Sequence, residues 1–273
     1  MISFPNAKIN IGLNVVSKRD DGFHNIETIF YPVKLYDILE FVEIDKSIST
    51  KSKFLQTGIE LGIENDINIC FKAYSLIAND FSLPLLNIHL HKIIPFGAGL
   101  GGGSSDAAFM LKEINNFFNL NLSSYELINY TSKLGSDCAF FINNKPVFAF
   151  EKGDKFKSIE LNLEGYYILL IKPDIFVSTA DAYSGIKAKN SENELIELIK
   201  KPIADWKNYI FNDFEIPVFK KFPELKAIKD DLYKSGAIYA SMSGSGSSIF
   251  GIFDKKPEIP EKYQEYFVYT DEF

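Results

Sequence analysis

The sequence predicts an α+β fold in two domains, on three observations. Residues 6–44 hold three strand-like segments joined by turns, residues 86–118 read as strand, glycine loop and helix, and residues 238–253 read as strand, glycine turn and strand after a helical stretch. Hairpins and helices therefore alternate irregularly, which points to an α+β architecture rather than repeated βαβ units. The 273 residues, 46% apolar and 24% charged, can bury one large core or two smaller ones.

The first strand is predicted over 6–16, where Ala7, Ile9, Ile11, Leu13 and Val15 alternate with Lys8, Asn10 and Asn14 and leave one polar face. Ser17 to Gly22 turns the chain, and strands follow over 25–33 and 37–44. The polar stretch 45–64 reads as another hairpin, and Asn65-Asp66 as the cap of a helix carrying Ile69, Cys70, Ala73 and Ile77. Leu86 to His91 alternates like a strand, and Ala107, Met110, Leu111, Ile114 and Phe118 mark one face of a helix, with Ser104, Ser105 or Asp106 as its expected cap. Ser123 or Ser124 should cap a helix through Leu134 that Gly135 ends; Ser136 to Phe141 begins a short buried element, and Pro146 to Phe150 reads as a strand. The turn Glu151-Lys152-Gly153-Asp154 is the expected boundary, dividing 1–152 from 153–273. Beyond it come a strand over 166–172, a helix from Ser178-Thr179 with Ala182, Tyr183 and Ile186, helices near 192–201 and 223–235, the strand pair of 238–253, and a last strand over 266–269.

Bulk properties exclude several classes. A net charge of −7 argues against nucleic acid as a partner. Cys70 and Cys138 are the only cysteines and lack metal-ligand spacing, so a reducing cytoplasm is the expected compartment. The first residues lack the basic and apolar regions of a signal peptide, and no apolar run approaches a membrane span. His89 and His91 share a strand face without an evident third ligand and read as structural.

The stretch Pro95-Phe96-Gly97-Ala98-Gly99-Leu100-Gly101-Gly102-Gly103-Ser104-Ser105 organises the chain. Five of the seven residues from Gly97 to Gly103 are glycine, placed directly before a patterned helix. Glycine opens positive φ and removes Cβ, so backbone N–H groups can converge on an anion at the helix N-terminus. A flexible turn is the plainer reading, but such turns rarely abut a well-patterned helix in this way. A Walker loop would need lysine before its final serine, and the loop ends Gly103-Ser104-Ser105. A dinucleotide fingerprint is satisfied literally by Gly97, Gly99 and Gly102, yet the acidic residue that should end the next strand is missing. Protein-kinase motifs are absent too.

The loop resembles the P-x-G-x-G-L-G-S/G-S-S phosphate loop of the GHMP small-molecule kinases. Pro5-Asn6-Ala7-Lys8-Ile9-Asn10 is similar to the N-terminal motif of that superfamily, and Met242-Ser243-Gly244-Ser245-Gly246-Ser247 to its C-terminal glycine loop. Adding Arg19-Asp20-Asp21-Gly22-Phe23-His24, the triple glycine Gly101-Gly102-Gly103 and Leu134-Gly135-Ser136-Asp137 narrows the resemblance. It then points to the branch that phosphorylates a hydroxyl of a diphosphocytidyl methylerythritol in non-mevalonate isoprenoid precursor synthesis. The resemblance implies an N-terminal domain like ribosomal protein S5 domain 2 and a C-terminal ferredoxin-like α/β domain. It implies ATP and Mg²⁺ as cofactors and a small-molecule substrate bearing a cytidine diphosphate group, with neither nucleic acid nor membrane as partner. Monomer and homodimer both stay open. Another GHMP kinase, of mevalonate or homoserine type, is the nearest alternative; a dinucleotide-dependent oxidoreductase and a non-catalytic nucleotide-binding regulator are more distant ones.

Residue roles follow from the same resemblance. Phosphoryl transfer depends on positioning and charge neutralisation, with one group accepting the hydroxyl proton. Asp137 matches the proton-accepting carboxylate; read locally, it could equally be a helix cap. Lys8 matches the cation that stabilises the transferring group. Pro95 and the run from Gly97 to Ser105 would bind ATP, with Ser104 and Ser105 supporting the phosphates or the metal, whose ligand stays unassigned. Asn10 and His24 match contacts to the cytidine part. Phe23 stands where the branch often has tyrosine, keeping a stacking face without the hydroxyl. Tyr31 and Tyr183 are candidate pocket walls, and Thr179 a candidate contact. Gly244, Ser245 and Gly246 would bring a second loop close to the site.

Overall fold

The computed structural model describes residues 1–45, 47, 49–60, 68–186, 188 and 194–273. The strands, in chain order, are β1 (Ile2–Ser3), β2 (Asn6–Lys18), β3 (His24–Tyr36), β4 (Ile38–Glu43), β5 (Lys53–Gly58), β6 (Leu86–Lys92), β7 (Val147–Phe150), β8 (Lys155–Ser158), β9 (Tyr167–Lys172), β10 (Tyr239–Met242), β11 (Ile249–Phe253) and β12 (Phe267–Glu272). The helices are α1 (Ile69–Phe81), α2 (Gly102–Phe117), α3 (Ser124–Thr131), α4 (Cys138–Asn143), α5 (Thr179–Tyr183), α6 (Glu194–Leu198), α7 (Ile203–Trp206), α8 (Glu215–Lys221) and α9 (Pro223–Lys234). Contacts gather the chain into two compact units of interleaved segments. Met1–Ala7, Leu35–Phe96 and Gly101–Lys145 form one; Lys8–Lys34, Gly97–Leu100 and Pro146–Phe273 form the other.

In the first unit, strands run in the order β1-β4-β6-β5. Leu86, Ile88 and Leu90 of β6 are buried, while His89 and His91 face the other way and both hydrogen-bond the Thr57 hydroxyl, at 2.8 and 2.9 Å. The hairpin expected after residue 45 is not what the described residues form. β5 pairs in parallel with β6, Phe54 opposite Ile88, and α1 supplies the crossover that a parallel pair requires. The expected cap Asn65-Asp66 lies outside the described residues; α1 is capped by Asn68, whose side chain accepts from Cys70 N–H at 2.9 Å. A capping box between Ser123 and Glu126 starts α3. It ends at Thr131, short of the expected Leu134, because residues 132–134 continue as a turn. Phe41 of β4 meets Phe117 of α2 edge-on at 5.5 Å, fixing the far end of α2 to the sheet.

The second unit has two sheets, β2-β3-β7-β8 and β10-β11-β9-β12. Its core joins Leu13 and Val15 of β2 to Leu169 and Ile171 of β9, Val218 of α8 and Leu225, Ile228 and Leu232 of α9. Burying each such side chain contributes about 1.5–3 kcal/mol, so β2 is tied to residues far along the chain. Glu151 to Asp154, read as a boundary, form the turn of the β7–β8 hairpin within this unit. β8, α7 and α8 carry no clear sequence signal. Pro217 disguises α8, yet it sits in the first turn, where no intrahelical N–H is required.

Candidate active site

The first half of the polar face of β2 does not meet solvent. Lys8 and Asn10 are 3% and 2% exposed. The Lys8 ammonium donates to Asn10 Oδ1 at 2.5 Å and lies 4.7 Å above the Phe30 ring. Asn10 Nδ2 donates to the Thr28 hydroxyl at 2.9 Å, which in turn donates to Gly12 O at 2.6 Å. A buried ammonium is tolerated only when its surroundings are polar or π-rich, and β2 and β3 supply both.

Two glycine loops in the second unit are knit together. Lys8 N–H donates to Leu100 O at 2.9 Å and Ser248 N–H to Ala98 O at 3.2 Å. The Ser243 hydroxyl donates to Gly99 O at 2.7 Å and accepts from Asn10 N–H at 3.1 Å. Gly99 has φ +74°, and a Cβ there would stand 1.9 Å from Ser243 O, so no other residue fits. Asn212 Nδ2 donates to Met242 O at 2.8 Å and Gly244 O at 2.7 Å, bracing the second loop. The C-terminal loop Gly244-Ser245-Gly246 therefore follows a serine that locks the first loop in place. Sequence reasoning missed Asn212, which belongs to no motif.

In the first unit, the glycine stretch runs straight into α2. The helix begins at Gly102, five residues before the start of the apolar pattern, and its N-cap position is Gly101 in the left-handed conformation with no side-chain cap. Ser104, Ser105 and Asp106 thus lie inside the helix rather than capping it. The first intrahelical bond, Ser105 N–H to Gly101 O, is 2.9 Å long. By helix geometry the N–H groups of Gly102, Gly103 and Ser104 have no acceptor within the helix, which suits an anion.

Asp137 occupies the N-cap position of α4 without making a side-chain cap hydrogen bond, so a capping role does not account for it. It is half-buried. Its neighbour Cys138 hydrogen-bonds Ser104, and burial pushes the Cys138 thiol up to about 11. A Cβ on Gly135 would stand 3.5 Å from Cys138 Sγ and 4.0 Å from Ser104 Oγ, so the segment carrying Asp137 abuts the first turn of α2.

His24 and Tyr183 stack, with centroids 4.6 Å apart and planes 23° off parallel. Phe23 is 60% exposed, with the Lys152 ammonium 5.5 Å from its ring centre. Thr179 is the exposed first residue of α5, after the cap Ser178. The Tyr31 hydroxyl accepts from Leu163 N–H at 3.2 Å, and its ring meets Phe273 edge-on at 5.5 Å. Pro95 is buried at the end of the first unit's segment that precedes Gly97.

A buried charge cluster was also missed. Lys92 Nζ donates to Asp37 Oδ2 and, at 2.7 Å, to Asp106 Oδ2, with the three side chains at most 2% exposed. The only signal in the sequence is a charged residue at the end of an apolar-alternating strand.

The model of the GHMP kinases N terminal domain matches residues 68–145, and that of the GHMP kinases C terminal domain matches residues 191–268. A curated 4-diphosphocytidyl-2-C-methyl-D-erythritol kinase of Bacteroides fragilis is 52% identical over 261 residues, 95% of this chain and 94% of its own length. The chain belongs to the 4-diphosphocytidyl-2-C-methyl-D-erythritol kinase family. The relative of that name from Parabacteroides distasonis is 50% identical over all 273 residues, 97% of its length. A crystal structure of 4-(cytidine 5'-diphospho)-2C-methyl-D-erythritol kinase superposes with a TM-score of 0.76 at 29% identity, over 92% of this chain and 90% of that one. The Methanococcus jannaschii mevalonate kinase shares the fold alone, with a TM-score of 0.67 at 14% identity over 99% of this chain and 97% of that one. The α+β GHMP kinase fold expected from the motifs is thus borne out.

Proposed function

We propose that this chain transfers the γ-phosphoryl group of ATP to a hydroxyl of 4-diphosphocytidyl-2-C-methyl-D-erythritol. Membership of the kinase family of that name carries the reading, and the uncapped first turn of α2 behind a glycine loop supports it. The substrate hydroxyl attacks the γ-phosphorus, the bond to the bridging oxygen breaks, and ADP departs. Asp137 takes the hydroxyl proton, and a base in this position contributes typically 10²–10⁴-fold. Lys8 lends charge to the transferring group, and Asn10 and Phe30 hold its ammonium. The N–H groups at the start of α2, with Pro95 and the loop residues from Gly97 to Ser105, bind the ATP phosphates. Phe23, His24, Tyr31, Tyr183 and Thr179 contact the cytidine end of the substrate.

Among the described residues no group of three or more His, Cys, Asp or Glu could hold a metal ion. That donor set fits Mg²⁺ carried on the nucleotide, which takes phosphate and water oxygens and needs one or two protein ligands. The Ser104 hydroxyl would hold it, and Mg²⁺ would supply neutralisation of phosphate charge. Among the described residues no helix is long and apolar enough to cross a membrane. The free, buried Cys70 and Cys138 and the net charge of −7 support a cytoplasmic enzyme that binds no nucleic acid.

The test is ADP release by purified protein with ATP, Mg²⁺ and each of three alcohols. Turnover of 4-diphosphocytidyl-2-C-methyl-D-erythritol, with mevalonate and homoserine inert, is the expected result. Preference for either of the others would overturn the substrate assignment.

A further inference from the structure

We propose that Lys92, gripped between Asp37 and Asp106, is the positioning residue that sets where the anion-binding turn of α2 stands. This rests on the reading that the turn binds ATP phosphates. Lys92 is the last residue of β6 and shortly precedes the glycine loop. Asp37 Oδ1 accepts from the N–H groups of Ile93 and Ile94, at 2.6 and 2.9 Å, while Asp37 Oδ2 accepts from Lys92. One carboxylate thus holds both the end of the strand and the ammonium. The ammonium reaches on to Asp106, one turn into α2. The start of α2 is seated against the same group: a Cβ on Gly102 would be 2.9 Å from Ile94 and 3.3 Å from Lys92 Nζ.

Stability does not explain the cluster. Replacing a buried ion pair by well-packed apolar residues is often neutral or stabilising. One oxygen of Asp106, Oδ1, is buried with no hydrogen-bond partner. Leaving a buried acceptor without a donor is unfavourable to folding. What the cluster provides is direction, because it ties a strand end, a loop and the second turn of α2 to one point. Its charge also suits that place. Burial pushes Asp106 well above the ordinary carboxylate range against the pull of Lys92, whereas the two carboxylates raise Lys92 despite its burial. One ammonium set between two carboxylates offsets negative charge beneath a turn that must attract phosphate.

Asp106→Leu removes the tether to α2 and leaves a neutral Lys92–Asp37 pair; Asp106→Asn keeps an oxygen for Lys92. Titration of each full-length protein with ATP and Mg²⁺ by calorimetry reads the effect directly, and steady-state kinetics give KM for the alcohol. In Asp106→Leu, ATP affinity should fall tenfold or more, with KM for the alcohol within twofold of wild type and the cooperative thermal transition retained. Asp106→Asn should bind ATP within threefold of wild type. Asp106→Leu binding ATP within twofold of wild type, or weakening both substrates equally, would overturn the inference. If the leucine variant does not fold, Asp106→Ala is read by the same criteria. Wild-type protein that fails to bind ATP would overturn the reading of the site itself, and this inference with it.

Discussion

Lys8 is a lysine whose position its neighbours dictate. Asn10 spends both ends of its amide inside the β2–β3 pair, one on Lys8 and one on Thr28. Asn10→Ala should therefore lower kcat, by about tenfold to a hundredfold if a hydrogen bond to a charged group worth about 1.5–3 kcal/mol is lost. A rise in KM for the alcohol with unchanged kcat would instead make Asn10 a cytidine contact. Asp137→Asn should leave ATP affinity within a few-fold of wild type in a calorimetric titration while kcat falls by about 10²–10⁴-fold. Wild-type turnover by that variant would move the base elsewhere. The two cysteines behave as apolar core. Burial raises both thiols, Cys138 to about 11 and Cys70 well above its ordinary value. At pH 8 the native protein should thus show no fast reaction with a thiol-exchange reagent, and denatured protein should titrate both thiols.

The glycine loop owes its shape to the loop at 243–248, and Gly99 is where the two backbones come closest. Gly99→Ala places a Cβ against Ser243 O at positive φ. It should destabilise the fold by about 1–3 kcal/mol, read as a lower thermal midpoint, and weaken ATP in the same titration. At the end of α9, Asp231 accepts from Lys262, from the Tyr263 hydroxyl at 2.7 Å and from Lys234 at 3.0 Å. These hydrogen bonds, led by Lys262, hold its carboxyl below the usual range. Folding therefore favours the ionised form. The stabilisation is fully present above the unfolded value of about 4 and fades as pH falls through the lower folded value. Asp231→Asn should melt below wild type at pH 7, with the gap closing toward pH 2.

Two compact units built from interleaved segments bear on how the chain can be divided. The core of the second unit draws Leu13 and Val15 from β2 onto Val218, Leu225 and Ile228. Residues 153–273 expressed alone lack those side chains and should show weak chemical-shift dispersion. Coexpression with residues 1–152 should restore it. A well-dispersed spectrum from 153–273 alone would show that β2 is dispensable for that core.

Period-two and helical patterns in the sequence were enough to indicate the α+β class, most strands, the glycine loop before α2 and the motifs that point to the kinase family. All of these depend on residue types at short spacing. Several features needed the tertiary structure. Pro217 hides α8, and β5 pairs in parallel with β6 across a helix, because neither a proline in a first turn nor a strand's partner leaves a local pattern. The burial of Lys8 and Asn10 could not be read from alternation, which separates the two faces of a strand without saying what covers each. The helix start at Gly102 was legible only as a run of glycines, since a cap that uses no side chain leaves no residue signature. Likewise Lys92, Asp37 and Asp106 meet across 55 and 14 residues of chain, and Ser243 reaches Gly99 across 144. Sequence records which groups are present; long-range packing decides which of them are brought within hydrogen-bonding distance.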